Sequence, residues 1–394
     1  MGKQCLTRFS GQALSDAGAQ SHPRSVPHSQ PDACSVLWDQ AQTLATGTAP
    51  SARFWLALEQ NGPWGARAAT QSHLDPDLGG DLDRVCQEAS GRLILIRRPG
   101  RHPDWQDTSG RIDPQRLYIA GGLADHPWLL QADLDGPRRV ERLRRLAEGL
   151  APLGMGSKAG DLGLETVRDL IPELQPSPGP VLMICTNSRR DVCCSVRGRP
   201  VAAEAAARRP GQVWECSHTG GHRFAPTGVL LPFGQTLGRL SGSSAVAAID
   251  AGMRAELADQ LLAARHDRGR SHLGPPEQAA ESLVREQIRE HRLLALSTKA
   301  APRGDEGNSY ENASIAKTTA VTGFDVNDNT ENTWRCRVSH TDGRHWDVVV
   351  VRRPGSTPLP ESCGKEPVPS WQWSILSESG RPTPGKSGQP NTRG

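Results

Sequence analysis

Two kinds of apolar pattern alternate along this chain. RFWLALEQ (53–60), RLILIRRP from Arg92, RLYIAGG from Arg116 and WLLQADL from Trp128 are short apolar runs and predict buried strands. The first stops at Asn61-Gly62-Pro63, a turn signal. A helix is predicted around 78–89. PRRVERLRRLAEGL (137–150) places Val140, Leu143, Leu146 and Leu150 at helical spacing, with proline in the tolerated first turn. PSPGP (176–180) suits neither helix nor strand and predicts a linker. Beyond it the order recurs. VLMICT (181–186) is a strand, PVAAEAAARR (200–209) an Ala-rich helix opened by Pro200, and QVWECSH (212–218) a second strand. GVLLPFG and QTLGRL pair as a hairpin, and a Ser-capped helix starts near Ser243.

Strand, helix, strand, strand, strand, helix thus describes both 53–150 and the segment after the linker, and predicts two copies of one unit. Glu277 to Leu296 predicts an amphipathic helix. Thr333 to Arg352 alternates apolar and polar residues around Asp342-Gly343, a hairpin signal. The division expected is a disordered extension (1–32), a first unit (34–176), a second unit (177–265) and a helical segment (266–299). A flexible linker (300–330), a β-hairpin region (331–378) and a disordered tail (379–394) follow.

Composition narrows the function classes. The 394 residues are 36% hydrophobic and 23% charged, with 41 Gly and 31 Pro, so folded cores are diluted by loops. No apolar stretch reaches the ~18 residues that a membrane span needs. MGKQCLTRFS lacks the apolar region of a secretory signal, and Leu6 breaks the myristoylation pattern begun by Gly2. A cytoplasmic protein is expected, with no membrane partner. The net charge is only +3, and the cluster at Arg138, Arg139, Arg142, Arg144 and Arg145 reads as a solvated helix face, with no nucleic-acid motif beside it. Nine cysteines at uneven spacing in such a chain point to metal ligands or redox groups rather than a disulfide framework.

The informative stretch is CTNSRRDVCCSVRGRP followed by WECSHTGGHRFAP. Cys185 ends a strand, and Cys194 lies nine residues later, in a loop before the helix. His218 and His222 follow the second strand with Gly220 and Gly221 between them. Thiolate and neutral imidazole suit both iron and zinc. Four-ligand zinc patterns use cysteines about two to four residues apart, and adjacent cysteines rarely reach one ion together. The wide spacing of Cys185 and Cys194 therefore leans toward a larger iron–sulfur core, with zinc still open. Any one of the four residues alone would more often be structural.

These segments resemble the sucrase/ferredoxin-like family of thioredoxin-fold [2Fe–2S] proteins. The resemblance is carried by RRDVCC, RGRPVAA, His218-Thr219-Gly220-Gly221-His222 and GGHRFA. It extends to ARFWLALEQNGPWG, SHLDP and RLILIRRPGR in the first half, and to SCG (362–364) near the end. Relatives usually read Thr-His-Gly after the first ligand cysteine; this chain has Thr186, Asn187 and Ser188. The "sucrase" label gives no basis for expecting sugar hydrolysis.

The resemblance implies an α/β fold with a thioredoxin-like ferredoxin domain; the repeated element order places a second, ligandless thioredoxin-like unit before it, and the hairpin signal a small β-containing region after it. It implies a [2Fe–2S] cluster, with Cys185 and Cys194 on the inner iron and His218 and His222 on the outer one. That is the ligand division of a Rieske centre. Arg190, Asp191, Cys193, Cys216, Gly220 and Gly221 would surround these ligands. Cys5, Cys34, Cys86, Cys336 and Cys363 have no partner at metal spacing and receive no role. An electron carrier serving a redox partner protein, such as a reductase, is expected rather than an enzyme with its own substrate. The alternative is a thiol- or metal-dependent oxidoreductase using Cys193 or Cys194, or zinc at the same four residues.

Overall fold

The computed structural model describes residues 33–100, 114–155, 162–301 and 332–381. The expected disordered extension lies outside the described residues, as do nearly all of the expected linker and tail.

After a short helix, α1 (Cys34–Gln40), the first unit opens with β1 (Trp55–Glu59), α2 (Pro76–Glu88) and β2 (Arg92–Arg97). β3 (Gln115–Gly121), β4 (Trp128–Leu134) and α3 (Gly136–Met155) complete it. α4 (Leu164–Leu170) and the two-residue β5 (Gln175–Pro176) lead out. The second unit is β6 (Val181–Cys185), α5 (Val192–Arg208), β7 (Val213–Cys216), β8 (Gly228–Leu231), β9 (Gln235–Leu237) and α6 (Gly242–Gly252), followed by β10 (Asp267–Arg270).

The two units share one topology. β1 pairs in parallel with β2 and antiparallel with β3, which pairs antiparallel with β4. β6 does the same with β7 and β8, and β8 with β9. Both are thioredoxin-like, and Glu59 ends β1 where Cys185 ends β6. β2 and β7 join antiparallel through Ile96 opposite Cys216 and Arg97 opposite Glu215, giving one ten-stranded mixed sheet. That joint is polar and buried: Arg97 lies 2.7 Å from Glu215 and stacks 4.2 Å from the centre of the Trp64 ring.

Alternating strand residues separate the cores. Leu56, Leu58, Leu95 and Ile119 meet the helices of the first unit, with Leu82, Leu143 and Leu146. Leu182, Ile184 and Leu230 meet those of the second, with Ala202 and Ile249. The opposite faces of both halves share a third core, in which Trp55, Ile96, Tyr118, Met183 and Trp214 surround Cys185 and Cys194.

Four local readings of the sequence are corrected. α5 starts at Val192, not Pro200, because Asp191 caps it by accepting the Cys193 N–H at 2.8 Å. Cys194 therefore sits in the first helical turn rather than a loop. Pro176 belongs to an edge strand, where its missing N–H is tolerated. α4 had no signal strong enough to read. The helix expected to reach Leu296 is α7 (Pro275–Ile288); Arg289 stops it in a left-handed conformation (φ +53°). Leu296–Ala300 is instead β11.

β11 begins a separate antiparallel sheet with β12 (Thr333–His340), β13 (His345–Pro354) and, beyond the short pair β14 (Leu359–Pro360) and β15 (Pro367–Val368), β16 (Trp371–Arg381). α7 packs on this sheet through Ala279, Ala280 and Val284. No helix among the described residues is long and apolar enough to cross a membrane.

Glu290 couples this sheet to pH. Its carboxylate accepts from Arg292 Nη2 and His340 Nε2, each at 2.7 Å, and these bonds pull its pKa down to about 2. A depressed carboxyl stabilises the fold fully above its ordinary value near ~4.3, and the contribution vanishes as pH falls toward the folded value. We expect Glu290→Gln to lower the melting temperature at pH 6. The gap from the parent should hold down to about pH 5 and narrow from there to pH 3; a gap independent of pH would mean that the pair contributes only through shape.

Candidate metal centre

The predicted donors lie at the end of β6, the first turn of α5 and the loop after β7. Cys185 closes β6, opposite Cys216 on β7. The chain then turns on Asn187, whose Oδ1 accepts from the Arg189 N–H at 3.1 Å, while its Nδ2 donates to the Gly65 carbonyl at 3.0 Å. The residue that departs from the family's usual Thr-His-Gly thus makes a side-chain turn and ties the loop to the first unit. Asp191 then starts α5. Successive helical residues point about 100° apart, so Cys194 faces Cys185 in the shared core while Cys193 faces elsewhere.

His218 and His222 are set by an unusual loop. Gly220 (φ +71°) and Gly221 (φ +66°) are both left-handed. A Cβ on Gly221 would also collide with the guanidinium of Arg268. That arginine is fully buried and donates to the Gly220 carbonyl and to Thr48 Oγ1, each at 3.0 Å. Burial pushes its pKa down to about 9 against the pull of Cys185 and Cys194. Arg268 braces the histidine loop from β10. The sequence carried no signal for it, because its partners, the Gly220 carbonyl and Thr48, are far away along the chain.

Cys185 and Cys194 are each 1% exposed, whereas His218 and His222 are only half-buried. Hydrogen bonding by Cys194, and then by His218, holds the Cys185 thiol well below its ordinary range, and Cys194 is pushed up as the donor. Burial pushes the His222 imidazole down, favouring the neutral form that binds metals. Three buried ring nitrogens, His218 Nδ1 and both of His222, have no hydrogen-bond partner. Buried polar atoms are nearly always satisfied, so a bound group that accepts these nitrogens as ligands would fit here. His222 also borders an open cleft of about 530 Å³ lined by Glu361, Ser362, Lys365, Glu366 and Val368.

The surrounding residues divide. Cys216 is buried beside Cys185 on the neighbouring strand, and burial, with the nearby Cys185, pushes its thiol up. Arg190 is exposed, as is Arg189. Cys193 and Cys194 are 0% and 1% exposed, which denies either the access a thiol nucleophile needs.

Asp191 and Cys193 belong to a second set of donors. Cys34, Asp191, Cys193 and Cys363 bring their ligand atoms within 4.8 Å of one another, and this group could hold a metal ion. Cys34 and Cys363, which the sequence left without partners, are corrected by this finding. The three positions are more than a hundred residues apart, so no spacing rule could have joined them. The four ligands expected from the sequence do not form such a compact group.

A thioredoxin-like unit with two deep cysteines and two shallower histidines at one end of its parallel strand pair defines a class of candidate metalloproteins. The family model for sucrase/ferredoxin-like proteins matches residues 46–261, more than half of the chain. This chain belongs to the sucrase/ferredoxin-like family. No curated protein matches it. No solved structure matches it.

Proposed function

We propose that the chain is a single-electron carrier in which Cys185, Cys194, His218 and His222 hold a [2Fe–2S] cluster. The observation that carries this reading is the set of buried nitrogens on His218 and His222 without hydrogen-bond partners, beside two buried cysteines. When bound, the cluster accepts and returns one electron. One zinc ion would draw four donors into a tetrahedron with edges of about 3.8 Å, from Zn–S bonds near 2.3 Å. The wide spacing of Cys185 and Cys194 along the chain favours the two-iron core.

The residues set the chemistry. Two thiolates and two neutral imidazoles bring half the negative charge of four thiolates, which favours reduction. Buried Arg268, near both thiolates, acts in the same direction. The midpoint potential should lie in the Rieske range of about −150 to +300 mV rather than near the roughly −400 mV of plant-type ferredoxins. Exposed Arg189 and Arg190 would receive an acidic redox partner, such as a reductase. The half-buried histidines would give the electron its shortest way out.

Voltammetry tests this reading. His218→Cys and His222→Cys should each keep a cluster at a lower potential, because each adds a negative charge. A potential unchanged or raised in either variant would remove the histidines from the ligand set.

A further inference from the structure

We propose that Cys34, Cys193 and Cys363 bind one structural zinc ion, with Asp191 supplying a fourth, carboxylate ligand. The Sγ atoms form a closed triangle: Cys34 to Cys193 is 3.5 Å, Cys193 to Cys363 is 3.2 Å, and Cys363 to Cys34 is 3.5 Å. A disulfide needs about 2.05 Å and joins only two sulfurs. A tetrahedral zinc site needs about 3.8 Å between thiolates bonded at ~2.3 Å, so closure around an ion requires each sulfur to move by only a few tenths of an ångström. Three thiolates favour zinc over hard cations, and a closed set of four donors is the mark of a structural rather than a catalytic site.

The surroundings are organised for this. Cys34 and Cys193 are 0% exposed, and they pack with Ala33 and Ala225 beside the half-buried Cys363. Asp191 is pinned on both oxygens. Oδ1 accepts the Cys193 N–H, while Oδ2 accepts Ser362 Oγ at 2.7 Å and the Cys363 N–H at 3.1 Å. Oδ1 retains a lone pair for the ion, and half-buried Arg223 lies near enough to Cys34 to offset negative charge.

The three sulfurs come from three remote places: the start of α1, the first turn of α5 and the loop between β14 and β15. Cys34 and Cys363 both lie outside residues 46–261, the part that matches the family model. Zinc here would lock the terminal segments onto the first turn of α5, which also carries Cys194. Asp191 Oδ2 also approaches His222 Nε2 at 3.8 Å, so the ion would steady the neighbouring site as well.

The test is metal analysis of the full-length protein expressed with zinc and iron supplied. One zinc per chain is expected, independent of iron content. Cys34→Ser and Cys363→Ser should each lose that zinc while keeping whatever iron and colour the parent shows. X-ray absorption at the zinc edge of the parent protein should show three sulfurs near 2.3 Å and one lighter ligand, and this reading stands even if a variant fails to fold. Absence of zinc, a spectrum of two sulfurs and two nitrogens, or a chain lighter by two hydrogens from a disulfide among these cysteines would each overturn the proposal. Iron in the same samples reports on the electron-carrier reading separately.

Discussion

Alanine at Cys185 or Cys194 should strip the protein of nearly all its iron and visible absorption, while alanine at Cys193 should leave both in place. Cys185 and Cys194 are the two deeper of the four proposed donors, and each is the other's hydrogen-bond partner. Loss of either would leave the proposed cluster one thiolate short, in a core lined by Ile96, Met183, Trp214 and Cys216. Thiolates are the usual ligands of such clusters, and the further thiol in this core, Cys216, is fixed within β7 by its pairing with β2 and β6. Cys193 points the other way from the same helical turn, toward Cys34 and Cys363. Iron analysis of the three purified variants, with circular dichroism to establish folding, checks this. Loss of iron from Cys193→Ala alone would move the ligand by one residue.

The second large effect concerns stability. Glu281→Ala should cost about 3–5 kcal/mol in denaturant unfolding, the range found when one member of a buried ion pair is removed. Glu281 accepts two hydrogen bonds of 2.8 Å from Arg270, one of 3.3 Å from Arg285 and one of 3.2 Å from Thr298. All three charged groups are almost fully buried. Removing the carboxylate strands two guanidiniums between β10, α7 and β11. These elements join the separate sheet to the edge of the large one. The loss should therefore spread to both, and Glu281→Gln should recover part of it by keeping acceptor and shape. A cost below about 1 kcal/mol would mean that backbone carbonyls alone satisfy both arginines.

Legibility in the sequence followed the range of the interactions. β1, β2, β3, β4 and β6 are apolar runs held by one or two buried faces, and they could be read directly. The repeated element order also exposed the common topology of the two units. The beginning of α5 was lost because Pro200 looked like a first-turn residue, while the stronger signal, the Asp191 cap, was taken for part of a loop. The end of α7 was lost because apolar Leu293, Leu294 and Leu296 continue the helical spacing after Arg289 has turned the chain. Cys185, Cys194, His218 and His222 were legible as a local motif. Arg268 and the thiols of Cys34 and Cys363 were not, since tertiary folding alone brings them to the site.

The central claim is that the two deep cysteines and two shallower histidines hold two irons and two sulfides. The most direct measurement is iron and acid-labile sulfide analysis of anaerobically purified protein, with electron paramagnetic resonance of the dithionite-reduced form. The account predicts two irons and two sulfides per chain, and a reduced signal of one unpaired electron with a low average g value, as expected when imidazole nitrogens ligate one iron. A colourless protein without sulfide, whose only metal is a zinc lost on substitution of His218 or His222, would contradict it.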